Sequence, residues 1–286
     1  MSMKTSSSGS YLAPMTAMLA ACAGTSASGG PPQVFGGVGA VVAGPKEMAL
    51  PEPSANAKTA SGPCAAPAPP GDTTLLDDFE DGDHQLFKAF EREGWWFSYA
   101  DTTEGAKLYP ERGRFAPERL PRTEATKDDM FAAHMKAEGQ KDWGAVWGVS
   151  LRWEKKGIRC PYNLSAFDGI RFRARGPATV RVSFGIPETQ ATEAGGTCTT
   201  GCWDVHTKIV YLSDHWDDYV VRWDRLEQGG WGAQARFDPA RVLNLNFAVK
   251  PKELPADFWV DDINLIPRAP EAVATVQPSQ PASNPR

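Results

Sequence analysis

The chain has 286 residues, 41% of them hydrophobic and 23% charged, and a formal net charge of −5. That composition suits a soluble globular protein, and the acidic balance, with Lys and Arg interspersed among Asp and Glu, excludes a nucleic-acid partner recruited by a basic surface. All ten Trp lie between Trp95 and Trp259, which confines the packed core to a central stretch of roughly 195 residues.

Residues 1–22 read as an export signal in which Lys4 is the only positive charge and Tyr11–Ala21 is a short apolar segment. The string Leu19-Ala20-Ala21-Cys22 resembles a bacterial lipoprotein signal, which implies a lipid on Cys22. The alternative is a cleaved signal with Cys22 incidental. Ala23 after the cysteine implies, by the same resemblance, an outer-membrane or cell-surface destination in a Gram-negative cell. Residues 23–71 are Ala, Gly, Pro and Ser with few charges and predict a disordered linker, and 268–286 predict a disordered tail of the same kind. The expectation is an exported protein that meets the membrane through its anchor only, with a folded domain held off on about fifty residues of spacer.

Residues 72–267 predict that domain. Short strands are expected at Thr74–Phe79, Trp95–Asp101, Phe131–Ala137, Val146–Trp153, Gly169–Arg175, Thr179–Phe184, Thr207–Leu212, Asp218–Trp223, Val242–Val249 and Asp257–Ile266. Every second residue from Arg171 to Arg175 is Arg, and Leu alternates with Asn from Leu243 to Asn246. Gly-Pro and Gly-Gly turns separate the runs, and no window carries a helical stripe. The fold class is therefore all-β, a two-sheet antiparallel β-sandwich of jelly-roll type.

Five strings occur in order: LLDDFEDGD at Leu75–Asp83, YNLSAFDGIRFRARG at Tyr162–Gly176, GGTCTTGCWD at Gly195–Asp204, KIVYLSDHWDDYVVRWDRLEQGGWG at Lys208–Gly232 and FWVDDINL at Phe258–Leu265. Together they resemble the galactose-binding-like β-sandwiches typified by family 11 carbohydrate-binding modules. That resemblance implies a jelly roll, a glycan bound on a concave sheet face and a structural Ca²⁺. Modules of that family are often joined to a cellulase-type catalytic domain, for which these 286 residues leave no room.

The resemblance sets the first and last strands side by side, so that Asp78, Glu80 and Asp262, with Asp261 as a weaker candidate, would surround the calcium ion, which takes six to eight oxygen ligands. Without it, the acidic string at Asp77–Asp83 reads as a solvated turn. Cys198, Cys202 and His206 have a spacing that would gather zinc ligands on a helix, but the glycines around them oppose a helix, and in an exported protein a Cys198–Cys202 disulfide is the expected outcome. Cys160 could pair with either of these or with Cys64.

Arg171, Arg173 and Arg175 share a strand face, with Arg181 on the next strand. They could offer bidentate donors to hydroxyls or carboxylates of a glycan. Trp143, Trp147, Trp203, Trp231, Tyr211 and His206 include the rings expected to face it; core packing and a solvated arginine face are the alternatives. No catalytic signature is present: no G-x-S-x-G elbow, H-E-x-x-H pair, phosphate loop or Glu-x-Asp-x-x-Glu glucanase strand. The functional expectation is a non-catalytic, surface-tethered lipoprotein that binds polysaccharide or oligosaccharide of β-glucan type. The alternatives are an assembly protein using the same sandwich, or a glycoside hydrolase whose acids are not recognisable.

Overall fold

The computed structural model describes residues 64, 73–89, 91–154 and 158–269, all within one compact unit that spans Ala49–Arg286. Cys22, the rest of the expected signal and all but a few residues of the linker and tail lie outside the described residues.

Fourteen strands follow one another: β1 (Leu75–Asp77), β2 (Trp96–Ala100), β3 (Lys107–Tyr109), β4 (Glu118–Arg119), β5 (Phe131–Glu138), β6 (Ala145–Ser150), β7 (Trp153–Glu154), β8 (Ile158–Arg159), β9 (Phe167–Arg175), β10 (Thr179–Gly185), β11 (His206–Tyr211), β12 (Asp217–Arg222), β13 (Asn244–Val249) and β14 (Ala256–Pro267). Among the described residues the only helices are short 3-10 turns. All ten expected strands are present; β3 and β4, three and two residues long, are too short for a period to show.

The strands form two antiparallel sheets and a small β7–β8 hairpin. The larger sheet runs β12-β9-β14-β5-β3, with β1 on β14 and β4 on β5; the smaller runs β11-β10-β13-β6-β2. The two-sheet antiparallel sandwich expected from the sequence is the fold observed. Alternation builds its core. On β9, Ile170, Phe172 and Ala174 are buried while the arginines point away, and on β13 Leu245, Phe247 and Val249 face inward. Rings cross between the sheets: Phe172 meets Phe247 edge-on at 5.3 Å, and Trp147 meets Phe258 at 5.5 Å.

The chain changes sheets between β9 and β10. Gly176 makes the crossing at φ +124°, where a Cβ would lie 2.4 Å from the Asp257 carbonyl oxygen. Neither a side chain nor ordinary backbone fits there. The outer face of the larger sheet is covered by residues 118–130, whose Leu120 and Ala125 pack with Ala132, Trp216 and Trp259. The outer face of the smaller sheet is open.

Candidate functional site

That open face is the floor of a trough of about 1190 Å³, larger than a typical small-molecule pocket and shaped for a longer ligand. The same alternation that buries Leu245 and Phe247 turns Asn244 and Asn246 onto the floor beside Ser183 and Gln190. Asn244 Oδ1 accepts from the Gly185 N–H at 3.0 Å and from Asn246 Nδ2 at 3.1 Å, so these amides have fixed orientations. On β6, opposite Asn246, stands Gly148; a Cβ there would meet Asn246 Oδ1 at 2.2 Å and the Phe97 ring at 2.8 Å. Its bare backbone lets both side chains lie flat.

Edge strand β2 makes one wall. It buries Trp96, Ser98 and Ala100 and turns Phe97 and Tyr99 to the trough, with ring centroids 5.6 Å apart. Trp143 continues the row 5.4 Å from Tyr99. It is held by Asp101, whose Oδ2 accepts from the N–H groups of Asp142, Trp143 and Gly144 at 3.0–3.1 Å. Burial opposes the charge on Asp101, but bonds from the Thr103 side chain and from the Gly144, Thr103 and Asp142 backbone outweigh it and bring the carboxyl down to about 2. At the other end of the row the Arg159 guanidinium lies 5.2 Å from the Phe97 ring and 5.3 Å from Trp153. The neighbouring Cys160 is bonded to Cys64, which resolves the pairing left open above.

The second wall carries Tyr211, Trp203 and Trp231, exposed by 75%, 46% and 63%. Trp203 sits at φ +78° directly after the Cys198–Cys202 disulfide, the bridge expected from the sequence. Asp204 comes next and accepts from the N–H groups of Gly229 at 2.7 Å, Trp231 at 3.0 Å and Gly232 at 3.1 Å. One carboxylate thus ties together the two loops that bear tryptophans. Arg181 lies at the floor, held by Glu253 through Nη2 at 2.8 Å and Nε at 3.1 Å.

Of the expected ligand residues, Arg181, Trp203, Tyr211 and Trp231 line the trough. Arg171 and Arg173 do not, because the crossing at Gly176 puts β9 in the other sheet. Arg173 bridges Asp129 at 3.1 Å and Asp262 at 3.2 Å, and Arg171 faces solvent on that sheet's outer side. Arg175 lies between Trp216 and Trp259 and pairs with Glu124 at 3.0 Å. His206 is also corrected: it is the inward residue of β11, with Nε2 2.8 Å from the Ala235 carbonyl and its ring beside Phe237. Burial holds its pKa below the ordinary value, which favours the neutral ring. Trp147 is fully buried in the core. Phe97, Tyr99, Arg159 and the supports Asp101, Asp204 and Glu253 were not foreseen, although alternation in Trp96–Ala100 already separates Phe97 and Tyr99 from their buried neighbours.

Two acids line the trough, Asp204 and Glu227. Both oxygens of Asp204 accept from backbone N–H groups.

The acidic end of the domain is a separate place. β1 pairs with β14, as the resemblance implied. Among the described residues, however, no three His, Cys, Asp or Glu side chains stand ready to hold a metal. Asp78 Oδ1 accepts from the Glu80 N–H, and Glu80 Oε1 accepts from the N–H groups of Met130 and Phe131. Asp261 is buried, and burial, then the charge of Asp262, pushes its pKa up to about 8. Asp129 Oδ1 is buried without a hydrogen-bond partner. Asp261 Oδ1 accepts from the Asp262 N–H, and Asp262 Oδ2 accepts from Arg173.

No family model matches the chain. It is 24% identical over 228 residues to Endoglucanase 3 of Fibrobacter succinogenes, a match that takes in 75% of this chain but only 31% of that protein's length. Among solved structures, it resembles the family 11 carbohydrate-binding module of the cellulosomal cellulase Lic26A-Cel5E of Clostridium thermocellum, with 16% identity and a TM-score of 0.43 over 68% of this chain and 95% of that one. A family 30 carbohydrate-binding module shows 18% identity and a TM-score of 0.43 over 71% and 96% of the two chains. An exo-beta-agarase shows 10% identity and a TM-score of 0.42 over 69% of this chain and 26% of its own.

Proposed function

We propose that this domain is a non-catalytic glycan-binding module that lays a polysaccharide of β-glucan type along the trough. The observation that carries the reading is the trough's make-up: solvent-exposed rings on both walls above a floor of ordered amides. The sugar rings of a β-linked chain present apolar C–H faces that stack on aromatic rings, and their hydroxyls need amide and hydroxyl partners of fixed direction. A protein-docking role fits less well, since the floor is polar where an interface core is apolar. The test is affinity electrophoresis of the full chain through gels containing mixed-linkage β-glucan, hydroxyethylcellulose, agarose, C6-oxidised cellulose and cellulose sulfate. Retardation is expected in at least one; free migration in every gel, charged polysaccharides included, sinks the reading.

The proposal extends to a lipid at Cys22, which would hold the module at the outer membrane and let many copies engage one polysaccharide. It also includes one structural calcium ion at the β1–β14 end of the domain, with Asp78, Glu80, Asp262 and Asp261 as its candidate ligands, whose side chains would have to converge to hold it. Bound there, the ion would offset the charge of these carboxylates.

A further inference from the structure

The charges around the trough oppose those of the whole protein. The chain carries a net −5, yet the trough is lined by Arg112, Arg159, Arg181, Lys208, Arg225 and Lys250 against the acids Asp204 and Glu227. Arg181 is matched by Glu253 at 2.8 Å, and Arg225 has Asp224 at 3.8 Å. Among the described residues no carboxylate lies within ion-pair distance of Arg112, Arg159, Lys208 or Lys250. Arg112 gives one N–H to the Ala100 carbonyl at 2.6 Å.

Arg159 is the most informative of the four. It is half-buried between Phe97 and Trp153, so it has lost part of its hydration, and among the described residues it gains no counter-ion. Burial pushes its pKa down, countered only by Tyr99. A cation held in this way, at the end of a row of rings, is placed to meet an anion that arrives with a ligand. A low-dielectric wall also strengthens any such contact.

Building on the glycan reading above, we infer that the physiological ligand is an anionic polysaccharide: a β-linked chain bearing carboxylate or sulfate groups that Arg159, Lys208 and Lys250 neutralise while the rings take the sugar faces. The shared chemistry is an oxyanion carried on a flat-faced sugar chain.

Three probes with one β-1,4-glucan backbone test it: hydroxyethylcellulose, C6-oxidised cellulose carrying carboxylates, and cellulose sulfate. Affinity of the full chain for each is measured by calorimetry at low and at about 0.5 M salt. At low salt at least one charged polymer is expected to bind about tenfold tighter than the neutral one, with the gap narrowing in high salt; which of the two does so identifies the group. Arg159→Gln with Lys208→Gln should remove that advantage, bringing affinity for the charged polymer down to that for the neutral one. Trp231→Ala should weaken binding of the charged polymer as well, which separates a seated chain from loose ionic attraction. Neutral polymer bound as tightly as both charged ones, or a charge advantage that survives the double substitution or ignores Trp231, overturns the inference and leaves the glycan reading standing. No binding to any of the three overturns this inference, and the glycan reading then falls with it if the remaining polysaccharides are also unbound.

Discussion

Asp204 accepts a hydrogen bond from the Trp231 N–H at 3.0 Å while standing next in the chain to Trp203, so a single buried carboxylate sets both tryptophans of one wall. In Asp204→Ala the N–H groups of Gly229, Trp231 and Gly232 lose their acceptor. The expected cost is about 1–3 kcal/mol of stability, together with weaker polysaccharide binding. Thermal unfolding and affinity gels measure the two effects; unchanged binding would mean that the loops keep their shape without it.

Two tryptophans should respond in opposite ways. Trp147 is fully buried, and Trp147→Ala is expected to cost about 3–5 kcal/mol in chemical denaturation. Trp231 is 63% exposed, so Trp231→Ala should leave the denaturation midpoint nearly unmoved. Its ligand affinity should fall about tenfold.

The disulfides should also divide these roles. Cys64–Cys160 spans 96 residues and Cys198–Cys202 spans 4. On the chain-entropy account the first contributes about 4–5 kcal/mol and the second about 2 kcal/mol. Cys64→Ser should therefore lower the melting temperature more than the double change Cys198→Ser with Cys202→Ser. The double change, by freeing Trp203, should reduce binding more.

Two losses of stability on acidification should appear as differences between parent and variant, set against Asp77 and Asp261, whose values of about 7 and about 8 stabilise the fold as they take up protons. His206 is buried with its pKa below 6.5, so the unfolded chain takes up the proton first, and stability declines as pH drops from 6.5 towards the folded value. His206→Gln should remove that step. Asp101 has a folded value of about 2 against an ordinary 3.8. Its contribution is complete above pH 3.8 and is lost as pH falls through 2. Melting temperature recorded from pH 8 to pH 2 tests both; a curve with no decline between pH 6.5 and pH 4 that depends on His206 would refute the first.

Calcium is expected to raise the melting temperature of chelator-treated protein, and Asp261→Asn should abolish the rise. Equal melting curves in chelator and in millimolar calcium would remove the ion from the proposal.

Local pattern alone determined a good deal of this protein. Alternation in Ile170–Arg175 and Leu243–Phe247 marked which side chains enter a core, the spacing of turns marked ten strands, and the short glycine-rich loop between Cys198 and Cys202 marked a bridge. Each of these depends on residues a few positions apart, so the chain states it directly. The sheet that each strand joins is a different kind of fact. Arg175 and Arg181 are six residues apart on consecutive strands, yet the crossing at Gly176 sends them to opposite sides of the sandwich. Only packing across the core decided that Arg173 and Arg175 of β9 would pair with Asp129 and Glu124 while Arg171 stayed exposed, that the nearly buried Asn244 and Asn246 of β13 would line the trough floor, or that Trp147 would be buried and Trp231 exposed. Charge followed the same course. A chain that is acidic as a whole gathers cations around one trough because strands far apart in sequence bring them there, an arrangement that composition averages away.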